Sequence, residues 1–463
     1  MLLLVSGAAF LDFLDVTVVN LAFPALRREF AGVPVSNLTW VITGYAVMFA
    51  ALLAAAGRMA DVIGRRRMFL GGVTLFTLAS LASALAPSFG ALVAARFVQG
   101  VGAATILPAG LAIVLGETPP ERRAAAIGVW GAAAGAAAAF GPTVGGLLVH
   151  LSDWRAVFVI NVPAGALILL GGRRVIREQR GEDRRIPDLL GTAAITAGIG
   201  LLVLGVTKGT DWGWSSPATL TSVLAGLLLV TLAVNRSWRH RAPAIETRLW
   251  RARPFAVANL ASLFYGASAY AAMLVSVLFL VAGWHYSELR AGLAMSPGAV
   301  TGAIAAAVTG RMADRRGPRL AVVAGSVLSC AVCLYLVAVL SGQQSFLAVW
   351  LPANTLNGIA MGMTAVGLSS TAAAAVPSSR FAAATGLSMT ARQCGAALGV
   401  AAVAAILQAE LAHGISGYID AYLFCAVTAA FSAAVGLTIS MRTARATSAT
   451  KAPRPAASQA LGL

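Results

Sequence analysis

GRMADVIGRRR, residues 57–67, returns 253 residues later as GRMADRRGPRL, residues 310–320. Two further stretches repeat at nearly the same offset. PPERRAAAIGV (119–129) returns as PSSRFAAATGL (377–387), and QGVGAA (99–104) returns more faintly as NGIAMG (357–362). Each copy lies at the same place among the apolar runs of its half, so the pattern predicts an internal duplication. Parallel repeats of helical bundles are a recurring way to build a membrane transporter.

The runs between these motifs are uniformly apolar. Hydrophobic residues make up 59% of the 463, and charged residues only 11%, against about 25% in a soluble domain. Most of the surface must therefore face hydrocarbon, where about 20 apolar residues form one helical span. A barrel strand would alternate polar and apolar positions; these runs do not. The expectation is an all-α membrane protein of fourteen transmembrane helices: two pseudo-symmetric six-helix bundles plus two inserted helices. Residues 1–172 form the N-terminal bundle, 173–253 the linkers and inserted pair, 254–441 the C-terminal bundle, and 442–463 a disordered cytoplasmic tail rich in Ala, Pro, Ser and Thr. The first apolar run, Leu2 to Leu26, is too long for a signal h-region and is expected to remain as helix 1.

Charge supports this topology. With a cytoplasmic N-terminus, 27 of the 34 Lys and Arg fall on the cytoplasmic side and 5 on the other, with Arg96 and Arg392 inside spans. That asymmetry is the positive-inside pattern, and it predicts a multi-pass protein of the plasma (inner) membrane with both termini cytoplasmic. The net charge of +17 is dispersed in short arginine clusters, which speaks against a nucleic-acid partner. Cys330, Cys333, Cys394 and Cys425 fall within spans and read as small apolar fillers. The four histidines lack clustered partners, so no metal site and no cofactor is expected. Trp40, Trp154, Trp212, Trp214 and Trp284 fall near outer helix ends, where interfacial aromatic belts form.

The motifs resemble those of the major facilitator superfamily, specifically its fourteen-helix drug:proton antiporter branch, over all of the chain but the tail. LDVTVVNLAFPAL (14–26) is similar to that branch's helix-1 signature, with Asp15 at its acidic position. Asp12 lies one turn earlier on nearly the same face, outside the signature. A carboxylate at membrane depth is costly when ionised, so it can load a proton from one side and lose it to the other. Two such acids so close together resist joint ionisation. The plainer alternative for Asp15 is local hydrogen bonding to Thr17 or Asn20. LVAARFVQGVGAA (92–104) resembles the helix-4 signature with Arg96, a position linked in the family to proton transfer. A buried arginine needs a partner, and the helix-1 acids are candidates; a purely structural salt bridge is the rival.

GRMADVIGRRR resembles the superfamily's loop 2–3 signature. Gly57 and Gly64 permit a tight turn and close helix approach. Asp61 can meet an arginine or a neighbouring helix N-terminus, and Arg65 and Arg66 complete the motif. Met59 and Val62 depart from it, whereas the second copy, with Gly310, Asp314 and Gly317, restores a basic residue at Arg315. The resemblance implies a cytoplasmic gate that stabilises the outward-open state. GAAAGAAAAFGPTVGG (131–146) resembles the helix-5 antiporter signature, with Gly141, Pro142, Gly145 and Gly146 giving a smooth packing face and a proline bend. Arg392 with Gln393 is also similar to the branch and reads as packing or gating.

The resemblance implies proton-coupled efflux of hydrophobic small molecules, cationic ones included, as a multidrug or antibiotic exporter. The rivals are a dedicated exporter of a single metabolite and, less favoured, a proton symporter for uptake. No Walker-type glycine loop occurs, so ATP is not the expected energy source, and no enzymatic role is expected. The implied partners are the substrate, protons and the bilayer, with the chain acting as a monomer.

Overall fold

The structure, a computed structural model, describes residues 1–181, 188–340, 343–409 and 415–440. The tail 442–463 and part of the turn expected at 341–345 lie outside the described residues. Among those described, fourteen helices of at least 15 residues form. In chain order they are α1 Leu2–Glu29, α2 Trp40–Ile63, α3 Arg65–Ala84, α4 Phe89–Glu117, α5 Arg123–Leu151, α6 Asn161–Val175 and α7 Leu189–Trp212. Then follow α8 Pro217–Arg239, α9 Arg253–Leu278, α10 Glu288–Arg316, α11 Arg319–Val339, α12 Leu351–Ala374, α13 Phe381–Ala409 and α14 Ser416–Leu437. One-turn helices at Val35–Leu38 and Ala156–Val159 precede α2 and α6.

The helix boundaries follow local chemistry. Ser88, Ser216 and Ser287 cap α4, α8 and α10 by accepting the amides of Ala91, Thr219 and Arg290, satisfying donors that a helix start leaves open. Gly64, at φ +128°, turns the chain from α2 into α3, and Gly317, at φ +83°, does the same between α10 and α11. A side chain at either would be strained in that backbone region.

Thirteen of the helical stretches are long and apolar enough to cross a membrane. α12 is 24 residues long and free of charge, but Asn354, Thr355, Asn357, Thr364, Ser369 and Ser370 lower its hydropathy. Its polar groups are used inside the protein: Asn354 Oδ1 accepts the Gly298 amide of α10 at 2.6 Å, and the Thr355 carbonyl accepts the Thr301 hydroxyl at 2.9 Å. α8 lies at the other extreme. Leu224, Leu227, Leu228 and Leu232 along it are all more than half exposed, an apolar face of the kind that hydrocarbon covers.

The packing repeats in kind across the chain. α1 packs on α5, and α9 on α13; α4 packs on α2 and α3, and α12 on α10 and α11; α3 meets α6, and α11 meets α14. Contacts across the two groups run through α5 with α10 and through α13 with α2. The hairpin of α7 and α8 rests its α7 face on α2 and α13 together, through Ile195, Ile199 and Val203 against Val47, Ala54, Ala384 and Leu387.

The tryptophans divide differently from the belt expected of them. Trp212 and Trp214 are exposed, but Trp154 and Trp284 are 1% exposed. Trp154 meets Phe30 and Phe158, and Trp284 meets Phe279 and Trp350. Aromatic contact inside the bundle outweighs placement at an interface there.

Candidate functional site

Asp15 lies inside the bundle of α1, α3, α4 and α6, 1% exposed. Its Oδ2 receives Arg96 Nη1 at 2.7 Å, and its Oδ1 receives Gln99 Nε2 at 2.9 Å and Asn161 Nδ2 at 2.7 Å. Of the two local alternatives, Thr17 is not used: its hydroxyl donates instead to the Phe13 carbonyl at 2.9 Å, while the Asn20 side chain lies outside the described residues. Arg96 is held from several sides, through Nε to the Val41 carbonyl at 3.0 Å, Nη1 to Gln99 Oε1 at 2.7 Å, and its guanidinium 4.4 Å from the Tyr45 ring centroid. Asn161 also donates to Ser80 Oγ, whose hydroxyl donates to the Phe158 carbonyl. The network joins residues far apart in sequence because five helices, α1, α2, α3, α4 and α6, bring small or polar positions to one depth.

Asp12 sits next to this cluster. Its Oδ1 accepts the Tyr45 hydroxyl at 2.5 Å, and Tyr45 in turn lies over Arg96. One aromatic ring thus touches both the second acid and the cation paired with the first. A buried ion pair holds only if its remaining hydrogen-bonding capacity is met, and here neutral partners meet it: the side chains of Gln99 and Asn161 and the Val41 carbonyl.

The second constellation is at the end of the bundle carrying the repeated motif. Asp61 receives Arg65 Nε at 2.9 Å and Nη2 at 2.8 Å, and also the backbone amides of Ala382 at 3.3 Å and Ala383 at 2.9 Å. It therefore meets both an arginine and the N-terminus of α13. Asp314, in the second copy, receives the amides of Ala124 and Ala125, both at 2.9 Å, at the start of α5. The glycines serve the same approach. A Cβ on Gly57 would stand 2.3 Å from the Ala382 carbonyl oxygen, and one on Gly310 would stand 2.4 Å from that of Ala124. Arg65 Nη2 also donates to the Ser378 carbonyl at 2.5 Å, and Arg66 Nη2 to that of Arg173 at 2.8 Å.

The linker after α8 adds a carboxylate to this end. Glu246, 4% exposed, pairs with Arg58 of α2 at 2.9 Å and with Arg380, just before α13, at 3.1 Å. Nearby, Arg236 pairs with Asp188 and holds that carboxyl below the usual carboxylate range.

α5 runs unbroken through Pro142. A Cβ on Gly141 would stand 2.5 Å from Thr17 Cγ2, and one on Gly145 would stand 3.2 Å from Val18 Cα. These glycines thus bring α5 onto α1 within three residues of Asp15. On its other face α5 approaches α10, where Gly128 and Gly135 meet Ala306 and Ala303. Gly146 is half-buried.

The structure brings together Asp15, Arg96 and Asp12 at one place and Asp61, Arg65, Gly57, Asp314 and Gly310 at another. The sequence reading missed Tyr45, Ser80 and Glu246 as partners. Gln99 stood inside a stretch already singled out, three residues after Arg96, without being assigned a part. No cluster of three or more potential metal ligands occurs among the described residues.

Comparison with known proteins places this architecture. The chain is 32% identical over 414 residues to the multidrug resistance protein Stp of Mycobacterium tuberculosis, covering 89% of this chain and 76% of that protein. It is 35% identical over 409 residues to the puromycin resistance protein pur8 of Streptomyces alboniger, covering 86% and 80%. The fold is similar to the crystal structure of the human organic anion transporter MFSD10 (TETRAN), with a TM-score of 0.70, 16% identity, and 94% and 98% of the two chains covered. The family model described as Major Facilitator Superfamily matches residues 5–400 and again 258–462. The chain is therefore a multi-pass membrane transporter of small molecules, not an enzyme, and belongs to the Major Facilitator Superfamily.

Proposed function

We propose that this protein exports hydrophobic small molecules, antibiotics among them, across the plasma membrane in exchange for protons. The observation that carries the reading is the Asp15–Arg96 pair, closed off from water and bonded to three donors from two other helices. The relatives support the direction of transport, since Stp and pur8 are named for drug and puromycin resistance. In this reading all fourteen long helices span the bilayer, both termini are cytoplasmic, and two duplicated halves rock about a central cavity.

The chemistry follows from the cluster. A proton arriving on Asp15 removes the charge that holds Arg96 Nη1, while Arg96 keeps Val41 and Gln99 as partners. The bond between α1 and α4 loosens without leaving a bare cation. Asp12 and Tyr45 sit against the same guanidinium and share its field. Because α5 packs on α1 at Gly141 and Gly145 and on α10 at Gly128 and Gly135, a movement of α1 is carried to the other half. The Asp61 and Asp314 contacts are the cytoplasmic gate: closed as here, they bar the inner side, and both must open to admit cargo.

The test is an acid-loaded inside-out vesicle bearing the wild-type protein, with a pH-sensitive dye and added puromycin. Export coupled to protons dissipates the gradient as puromycin accumulates. Puromycin accumulation that is indifferent to collapse of the gradient rules the coupling out.

A further inference from the structure

Beyond the Asp15 cluster, α13 carries a second arginine at membrane depth, and among the described residues it has no counter-charge. Arg392 lies eleven residues from the start of α13, roughly 16 Å along the helix at about 1.5 Å per residue. The carboxylates of α9–α14 are Glu288, Asp314 and Asp420, each within five residues of a helix end. No ion pair involves Arg392 among the described residues, and its Nε is buried without a hydrogen-bond partner. One turn earlier on the same face, Ser388 Oγ is also buried without a partner. Both line a cleft between α4, α9, α12 and α13, whose walls include Leu111, Ser262, Tyr265 and Met389. The Tyr265 hydroxyl is turned away toward the Met361 carbonyl.

An arginine at membrane depth is expensive unless something neutralises it. Arg96 meets that demand with Asp15; among the described residues no protein group does so for Arg392. A guanidinium presents paired donors that match a carboxylate or sulfonate in two bonds, and the apolar walls suit the rest of an amphiphilic molecule. We propose that the cleft below Arg392 binds the acidic group of an amphiphilic organic anion, with Arg392 as the charge partner and Ser388 as a second donor. The cargo so named differs from the cationic drug that the helix-1 acids suggest. It rests on the export reading for the direction of movement only.

The proposal is tested by equilibrium binding to the full chain in nanodiscs of phosphatidylcholine alone, without a pH gradient and without anionic lipid. Two tritiated probes share one ring system: 8-anilinonaphthalene-1-sulfonate, an anion, and N-phenyl-1-naphthylamine, which lacks the sulfonate. The wild type binds the sulfonate at least tenfold more tightly than the amine. Arg392→Gln abolishes that preference and leaves the amine within twofold, and Arg392→Lys retains part of it. Ser388→Ala weakens the sulfonate alone about threefold, and it carries the test if Arg392→Gln does not fold. An equal loss for both probes, an unchanged preference in the variants, or no preference in the wild type overturns the proposal. Because binding is read at equilibrium without a pH gradient, failure of proton coupling and failure of the anion site are read separately.

Discussion

Asp61 of α2 accepts the amide of Ala383, 2.9 Å away at the start of α13, and so ties the first half of the chain to a helix of the second. Asp314 returns the contact by accepting the Ala124 and Ala125 amides of α5. A carboxylate at a helix N-terminus satisfies open donors and meets the positive end of the helix dipole. The repeated motif is thus two reciprocal caps closing one end of the bundle.

Asp61→Asn and Asp314→Asn remove the charge and keep the shape. Asp314→Asn is expected to cost on the order of 1 kcal/mol locally, about fivefold in the opening equilibrium, and Asp61→Asn about 3 kcal/mol, because it also leaves the buried Arg65 without its carboxylate. Hydrogen–deuterium exchange read by mass spectrometry should quicken at residues 378–386 for Asp61→Asn and at 122–128 for Asp314→Asn. Unchanged exchange in both segments contradicts the capping role.

Gly57→Ala and Gly310→Ala act on the same end by crowding. The added methyl would meet a backbone oxygen at 2.3 Å and 2.4 Å respectively, and neither oxygen can move without its helix. Both variants are expected to lose most transport while remaining folded, with the same exchange segments opened. Gly71→Ala, which meets nothing within 4 Å on α3, should be neutral or slightly stabilising.

Glu246 and Glu178 separate a buried ionic tie from an exposed one. Glu246→Gln breaks a carboxylate paired with both Arg58 and Arg380 and should cost about 3 kcal/mol in thermal unfolding. Glu178→Gln disturbs a pair with Arg67 at 3.7 Å, where Arg67 is 65% exposed, and should cost well under about 1 kcal/mol. Equal losses would show that burial does not govern these ties.

The Asp188–Arg236 pair predicts an acid limit. Because Arg236 lowers the Asp188 carboxyl below 3.8, the folded state binds that proton less readily than the unfolded chain. The stabilisation is therefore present above about pH 4 and lost as pH falls through the lowered value. The melting temperatures of wild type and Asp188→Asn should differ by a constant amount from neutral pH to about pH 4, then converge.

Much of this is legible in the sequence. The duplicated motif and the apolar runs announced a helical membrane protein, and a buried Arg96 needing a partner pointed to the helix-1 acids. Asp61 could be expected to face either an arginine or a helix N-terminus, and it does both. The neutral partners were not legible. Asn161 lies 146 residues from Asp15, and a lone asparagine in an apolar run leaves no local sign of what it will meet. Glu246 was hidden among linker arginines, since any of them could have claimed it. Trp154 and Trp284 show the converse difficulty: a tryptophan near a helix end fits an interface and an aromatic cluster equally well until packing decides.

The account turns on Asp15, and the most direct measurement compares wild type with Asp15→Asn in acid-loaded inside-out vesicles. Uphill accumulation of labelled puromycin and its one-for-one exchange between equal pools are followed in the same preparation. The account predicts that the variant loses at least tenfold in gradient-driven accumulation while exchange persists. Full gradient-driven accumulation by the variant would contradict it.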